Sequence, residues 1–189
     1  MLDDGEDANN QLVKQGGRDG FWFTYADSSG TTVEPEGDFK MSRGGPPGSS
    51  YAAHIHGRVG AQTKGQSPYA GVGFSLTHPK SAFDLSHSQG ISFWAKGPGH
   101  LRVELPDVDT APQGGHCQQC YNDFGKDFEL SAEWARYAVR FDETTQQPNW
   151  GDHVSELATN AIYAVEWQVT GADSDFDVWV DNIELVGCE

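Results

Sequence analysis

Basic side chains are scarce in this sequence. Its 189 residues carry 12 Lys and Arg against 28 Asp and Glu, a formal net charge of −16. So acidic a chain does not bind phosphate backbones or anionic lipid surfaces by charge, which argues against nucleic acid and membrane as partners. Long apolar runs are missing too. Nowhere do eighteen apolar residues follow one another, so no helical membrane span is expected. Cysteine is limited to three residues and methionine to two. The opening "LDDGEDANN" after Met1 has neither the basic start nor the apolar stretch of a secretory signal. Because the remainder reads as extracellular, we take Met1 as a start placed on a mature domain, secreted or displayed at a cell surface. Catalytic signatures are also lacking: there is no Gly-x-Ser-x-Gly elbow, phosphate-binding loop or His-Glu-x-x-His.

What the sequence does have is strand signal. "GFWFTY", "SYAAHIHGRV", "YAGVGFSL", "GISFWAKG", "HLRVELPD", "RYAVRFD", "IYAVEWQV" and "FDVWVDNIELV" are short, rich in β-branched and aromatic residues, and separated by Gly, Pro, Asp and Ser clusters. Period-two alternation sets Leu101, Val103 and Leu105 against Arg102 and Glu104, and Val165, Trp167 and Val169 against Glu166 and Gln168. Trp167, Phe93 and Tyr137 are expected in the core, with Trp94 and Trp179 facing outward. Helical signal is thin. One short turn is expected over "HVSELATNA", with Leu157 tucked inward. The pattern predicts an all-β fold, a jelly-roll β-sandwich of two antiparallel sheets, as a single domain over residues 1–189. Two long connections, "TVEPEGDFKMSRGGPPGSS" and residues 106 to 134, are expected to be loops, the first ordered only at its ends.

The second connection holds "GGHCQQCYNDFG". Cys117 and Cys120 lack the βαβ surroundings of a thioredoxin-like motif. A zinc site would have to recruit His116 and the near-terminal Cys188, with no second pair. We read a disulfide, which would pin a long loop and imply an oxidising compartment; free thiols and zinc are the alternatives.

Taken in order, "LDDGEDANN", "FWFTYAD", "YAAHIHG", "YAGVGFSL", "DLSHSQGISFWAKG", "VELPDVDT", "CQQCYNDFG", "PNWG" and "FDVWVDNIEL" resemble the galactose-binding-like carbohydrate-binding modules, of the family-eleven-like β-glucan-binding type. The resemblance implies a non-catalytic monomeric module of a larger secreted polysaccharide-degrading protein. It implies a polysaccharide or oligosaccharide ligand, β-glucan before others, held on one sheet face and its rim loops, and a structural calcium between the terminal strands. Glu6 and Asp181, with backbone carbonyls, are the expected calcium ligands, and Asp4 and Asp7 extra ones.

Sugar rings need aromatic platforms beside planar hydrogen-bonding partners. Trp22, Tyr25, Tyr121 and Trp150 supply candidate platforms; Arg102, Glu104, Asp107, Asp109 and Gln168 supply polar partners. His54 and His56 share one strand face, where hydrogen bonding to glycan competes with a metal reading that lacks a third ligand. Two other functions stay open. A glycan-cleaving enzyme would use Glu104 with Glu166 as carboxylates if a hydrolase, or a base from His54, His56 or Tyr121 beside Arg102 or Gln168 if a lyase; an adhesion or structural domain would use neither.

Overall fold

A computed structural model describes residues 1–65 and 67–187. The strands are β1 Trp22–Ala26, β2 Thr32–Glu34, β3 Ser42–Arg43, β4 Tyr51–Arg58, β5 Tyr69–Ser75, β6 Gly90–Lys96, β7 Gly99–Leu105, β8 Phe124–Leu130, β9 Ala135–Arg140, β10 Ala164–Thr170 and β11 Asp175–Val186. They form the expected sandwich. One sheet runs β1-β5-β10-β7-β8. The other runs β2-β4-β11-β6-β9, with β3 added beside β4. Every pairing is antiparallel.

Alternation explains which face each strand buries. Leu101, Val103, Leu105, Val165, Trp167 and Val169 meet Ile55, Ile91, Phe93, Val178 and Val180 of the opposite sheet in one hydrophobic cluster. Trp167 is wholly buried at its centre, stacked on Trp22 at 5.7 Å and met edge-on by Phe93 at 5.6 Å. Tyr137 is half-buried on Phe93, 5.8 Å away, while its hydroxyl oxygen accepts the Ser131 N–H. This wet edge is usual for tyrosine.

Three expectations need correcting. Residues 153–161 form turns, not helix, although Leu157 is buried as expected; the only helical turns among the described residues are 3-10 turns at Pro112–Gly114 and Phe141–Glu143. The Gly/Pro-rich stretch after β1 is ordered well beyond its ends, because Phe39 and Met41 plug into the core and β2 and β3 pair with β4. The connection 106–134 contains β8, whose Phe128 packs edge-on against Phe93.

On β11 a bulge between Asp181 and Glu184 shifts the inward parity from Val178 and Val180 to Ile183. Asp181, at the bulge, is 1% exposed. Asp3 bridges to Ile183 beside it, so the first residues are held against the last strand.

Candidate functional site

The outward face of the five-stranded sheet carries the residues that alternate with its core positions. These are Phe23 and Tyr25 on β1, Gly71 and Gly73 on β5, Glu166 and Gln168 on β10, Arg102 and Glu104 on β7, and Asp127 on β8. The glycines let larger neighbours lie across the strands. A Cβ on Gly73 would stand 2.7 Å from Glu166 Cγ, and one on Gly125 2.9 Å from Arg102 Nε.

The floor is a charged hydrogen-bond lattice. Arg102 donates through Nη1 to Asp127 Oδ2 at 2.8 Å and through Nη2 to the Thr145 carbonyl; its Nε lies 3.3 Å from Glu104 Oε1. Gln168 Nε2 donates to Glu104 Oε2 at 2.8 Å. Glu104 and Glu166 are direct cross-strand partners. Burial pushes Glu104 well above the usual carboxylate range, helped by Asp123 and Glu166 and opposed by Arg102. Burial likewise raises Glu166 to about 7, against the pull of Lys80, whose Nζ is 3.6 Å away. Asp123, 4% exposed, rises to about 6 through burial, and its Oδ1 has no protein partner. Tyr25 Oη is directed at Glu166 and Gln168 without forming a well-aligned hydrogen bond.

Aromatic rings line this floor. Phe23 and Tyr25 are 6.1 Å apart, as are Tyr25 and Tyr69, and Lys80 Nζ stands 5.4 Å over Phe23. Burial raises the Tyr69 phenol, and charges on Asp27 and Tyr121 add to the effect, which places Tyr121 within electrostatic reach. Tyr121 is 66% exposed and Trp150 46%. With Met1 they are the exposed large apolar side chains of the described residues. Tyr69, Lys80, Asp123 and Asp127 were not singled out in the sequence. A usable signal was present: the alternation of Tyr69, Gly71 and Gly73 with Ala70, Val72 and Phe74 marks one bare face of a strand.

Among the expected site residues, the structure brings Tyr25, Arg102, Glu104 and Gln168 together on this face, with Tyr121 and Trp150 on loops. Trp22 is placed elsewhere: it is 3% exposed, stacked between Trp167 and Phe39, and no wall of an open site. Asp107 is also withdrawn, wholly buried. Its Oδ1 accepts from the Asp109 and Thr110 amides and the Thr110 hydroxyl, and its Oδ2 from Ala158 N, so it caps a turn. Asp109 is half-buried and contacts His116 Nδ1 at 2.7 Å.

His54 and His56 lie on the other sheet, away from this face, because β4 belongs to the six-stranded layer. The His54 ring stacks on Trp179 at 3.7 Å and 11°, and one Asp177 oxygen, Oδ1, contacts both His54 Nε2 and Trp179 Nε1. Lys96 Nζ sits 4.8 Å from Trp179 and 5.1 Å from Trp134. These side chains pack against one another on the outer surface of the six-stranded sheet, where Trp134 and Trp179 stay partly exposed. No group of three His, Cys, Asp or Glu side chains able to hold a metal occurs among the described residues.

At the terminal strands, Glu6 Oε1 accepts from Ser49 Oγ at 2.7 Å, Ser50 N at 2.7 Å and Tyr51 N at 3.0 Å. The Ser49 hydroxyl and the Tyr51 amide hold Glu6 down to about 2. Asp181 is raised to about 6 by burial, and Glu6 and Asp4 add to the rise. A Cβ on Gly5 would be 3.5 Å from both Asp181 Oδ1 and the Tyr51 carbonyl oxygen, so these oxygens border one space. A buried carboxylate without a cationic partner among the described residues, beside a carbonyl and a hydroxyl, is a hard-oxygen set that fits calcium. Asp4 and Asp7 are turned to local work, accepting the Glu6 and Asn9 amides.

Cys117 and Cys120 are joined as a disulfide, with Cα atoms 5.1 Å apart. Cys188 lies outside the described residues.

No protein-family model and no curated protein matches the sequence. Solved structures do match the fold. The family 11 carbohydrate-binding module of a cellulosomal cellulase of Clostridium thermocellum superposes with a TM-score of 0.70 at 18% identity, covering 99% of this chain and 93% of that one. A family 11 module of the same organism in complex with a β-1,3-1,4-mixed-linked tetrasaccharide gives 0.65 at 16% identity, covering 96% of each chain. A family 30 carbohydrate-binding module of another cellulosomal cellulase of Clostridium thermocellum gives 0.61 at 12% identity, covering 93% and 95%. The likeness is one of architecture: the chain folds as these β-sandwich modules do.

Proposed function

We propose that the protein is a non-catalytic carbohydrate-binding module. Its site is the outer face of the five-stranded sheet together with the loops carrying Tyr121 and Trp150. The observation that carries this reading is the series of rings Phe23, Tyr25 and Tyr69 beside a floor of Arg102, Gln168, Glu104 and Glu166. Rings stack on the CH faces of sugars while the part-exposed Gln168 and Glu166 hold hydroxyls; Arg102 and Glu104, 3% and 5% exposed, brace them from beneath and are not surface contacts as the sequence led us to expect. The face sets Asp123 and Asp127, together with Glu104 and Glu166 whose ionisation burial opposes, against Lys80, Arg102 and His100, so it carries no strong charge of one sign. That balance favours an uncharged polysaccharide over one bearing uronate or sulfate. The mixed-linked β-glucan oligosaccharide seen with a module of the same fold makes a neutral β-glucan the first ligand to try.

Binding is favoured over cleavage by the placement of the carboxyl groups. Glu104 and Glu166 stand side by side on paired strands and are held by Arg102, Gln168 and Lys80. Glu104, 5% exposed, is closed off by these partners, whereas both carboxyl groups of a hydrolytic pair must reach the scissile bond. Calcium belongs to the same reading: Glu6, Asp181, the Tyr51 carbonyl and Ser49 would hold it, and it would tie the first residues to β11 and neutralise Asp181. The loop disulfide fits an oxidising, extracellular setting, and modules of like fold are parts of cellulosomal cellulases.

Affinity electrophoresis in soluble mixed-linked β-glucan, xylan, mannan and polygalacturonate tests the reading. Retardation by a neutral glycan, lost in Tyr69→Ala, is expected. Release of reducing ends or unsaturated products would overturn it, as would retention by polygalacturonate alone.

A further inference from the structure

The two loops bearing the exposed aromatic residues are fastened to each other at many points. Asp152 Oδ2 accepts the amides of Gln118, at 2.5 Å, and Gln119, at 3.1 Å, and its own amide donates to the Gln119 carbonyl. These residues lie inside the ring closed by Cys117 and Cys120. In the other direction, Asn122 reaches into the 146–151 segment. Its Nδ2 donates to the Gln147 and Trp150 carbonyls at 3.1 and 2.8 Å, and its Oδ1 accepts Gln147 N at 2.9 Å. Asn122 is 1% exposed. Gly151 permits this approach: its φ is +65°, and a Cβ there would be 2.5 Å from Asn122 Cβ.

Buried side-chain amides are costly to leave unpaired, so a network this complete fixes geometry as well as adding stability. Its product is the placement of two rings. Tyr121 immediately precedes Asn122, and the Trp150 carbonyl is itself held by Asn122. Loops that must order on binding lose affinity to that ordering, and loops already ordered do not. Resting on the carbohydrate-binding reading above, we propose that Asn122 and Asp152 are positioning residues of the glycan site. They lock the disulfide loop to the Trp150 loop, so that Tyr121 and Trp150 engage the ligand as one preorganised unit.

The test uses Asp152→Ala, because Asp152 sits at the surface and its loss leaves the core intact, whereas Asn122→Ala opens a buried network. Mixed-linked β-glucan is the probe, read by affinity electrophoresis and titration calorimetry. Asp152→Ala should speed amide exchange at Gln118 and Gln119, weaken binding about tenfold, and leave the melting temperature nearly unchanged. Asp152→Asn, which keeps an acceptor oxygen, should recover part of the affinity. In a Tyr121→Ala background, Asp152→Ala should cost less than about half as much, since the ring it positions is gone. Fast exchange at Gln118 and Gln119 with wild-type affinity overturns the proposal, as does an undiminished penalty in the Tyr121→Ala background. If the wild-type protein is retarded by no neutral glycan, the binding reading itself falls and takes this proposal with it.

Discussion

Tyr25 lies across Gly71: a Cβ on that glycine would be 2.3 Å from Tyr25 Cζ and 2.7 Å from the Trp167 carbonyl oxygen. The ring's position on the sheet therefore depends on the absence of a side chain one strand away. Gly71→Ala should push Tyr25 off the floor, and the backbone contact cannot give way as a side chain can. We expect a destabilisation of about 1–3 kcal/mol and loss of glycan retention. Denaturant melts and affinity electrophoresis measure both, and a variant that binds normally would show that Tyr25 is not part of the platform.

The tryptophans should divide by place. Trp22→Ala removes a buried ring from the core and should cost roughly 3–5 kcal/mol of stability. Trp150→Ala should leave stability nearly unchanged and weaken glycan binding by about 1–3 kcal/mol. Trp179→Ala should not alter affinity, because its ring lies with His54 and Lys96 on the opposite sheet. A loss of binding in Trp179→Ala at an unchanged melting temperature would mean the ligand sits on that sheet instead.

Stability should fall as the pH rises from acid to neutral in calcium-free protein. Glu104, Glu166, Asp123 and Asp181 all have folded-state values above their unfolded ones, three of them near 6 to 7. Between pH 4 and 7 the native state therefore holds more protons than the unfolded chain, and unfolding free energy declines with pH. Groups lowered by hydrogen bonds, such as Glu6 and Asp152, act in the opposite sense but only at lower pH, as the pH falls through their folded values. The melting temperature should peak near pH 4 and be lower at pH 8 by on the order of 5 °C. A melting temperature that climbs steadily to pH 8 contradicts the burial of these carboxyl groups.

Calcium should raise the melting temperature in proportion to the logarithm of its concentration above the dissociation constant. Its binding requires Asp181 ionised, so affinity should weaken as the pH drops through about 6. Asp181→Asn should remove the calcium response and, in calcium-free protein, flatten part of the pH dependence. Equal melts with chelator and with excess calcium would dismiss the ion.

The sequence made the strands legible wherever alternation was clean, as in "HLRVELP" and "YAVEWQV", whose inward residues are all in the core. It hid β8 because Gly125 and the charged Lys126, Asp127 and Glu129 dilute the alternation of a strand that packs Phe128 and Leu130 against the cluster only in part. It placed Trp22 in the site because a polar neighbourhood in sequence is no guide to a strand's parity, which the pairing with β5 sets. Asp107 looked like a ligand donor for a related reason. A carboxylate after a strand serves a turn as readily as a ligand, and only the amides of Asp109, Thr110 and Ala158 show which. Arg102, Glu104 and Gln168 were readable together because the partners of one face keep the same parity on neighbouring strands.

The interlock of the 117–123 and 146–152 segments has a consequence for anyone redesigning specificity. Neither loop is an independent cassette. A graft of one alone would strand the Asn122 amide or the Gln118 and Gln119 amides against a mismatched partner, and any side chain imported at Gly151 would collide with Asn122. The unit of exchange is the pair, moved with its disulfide.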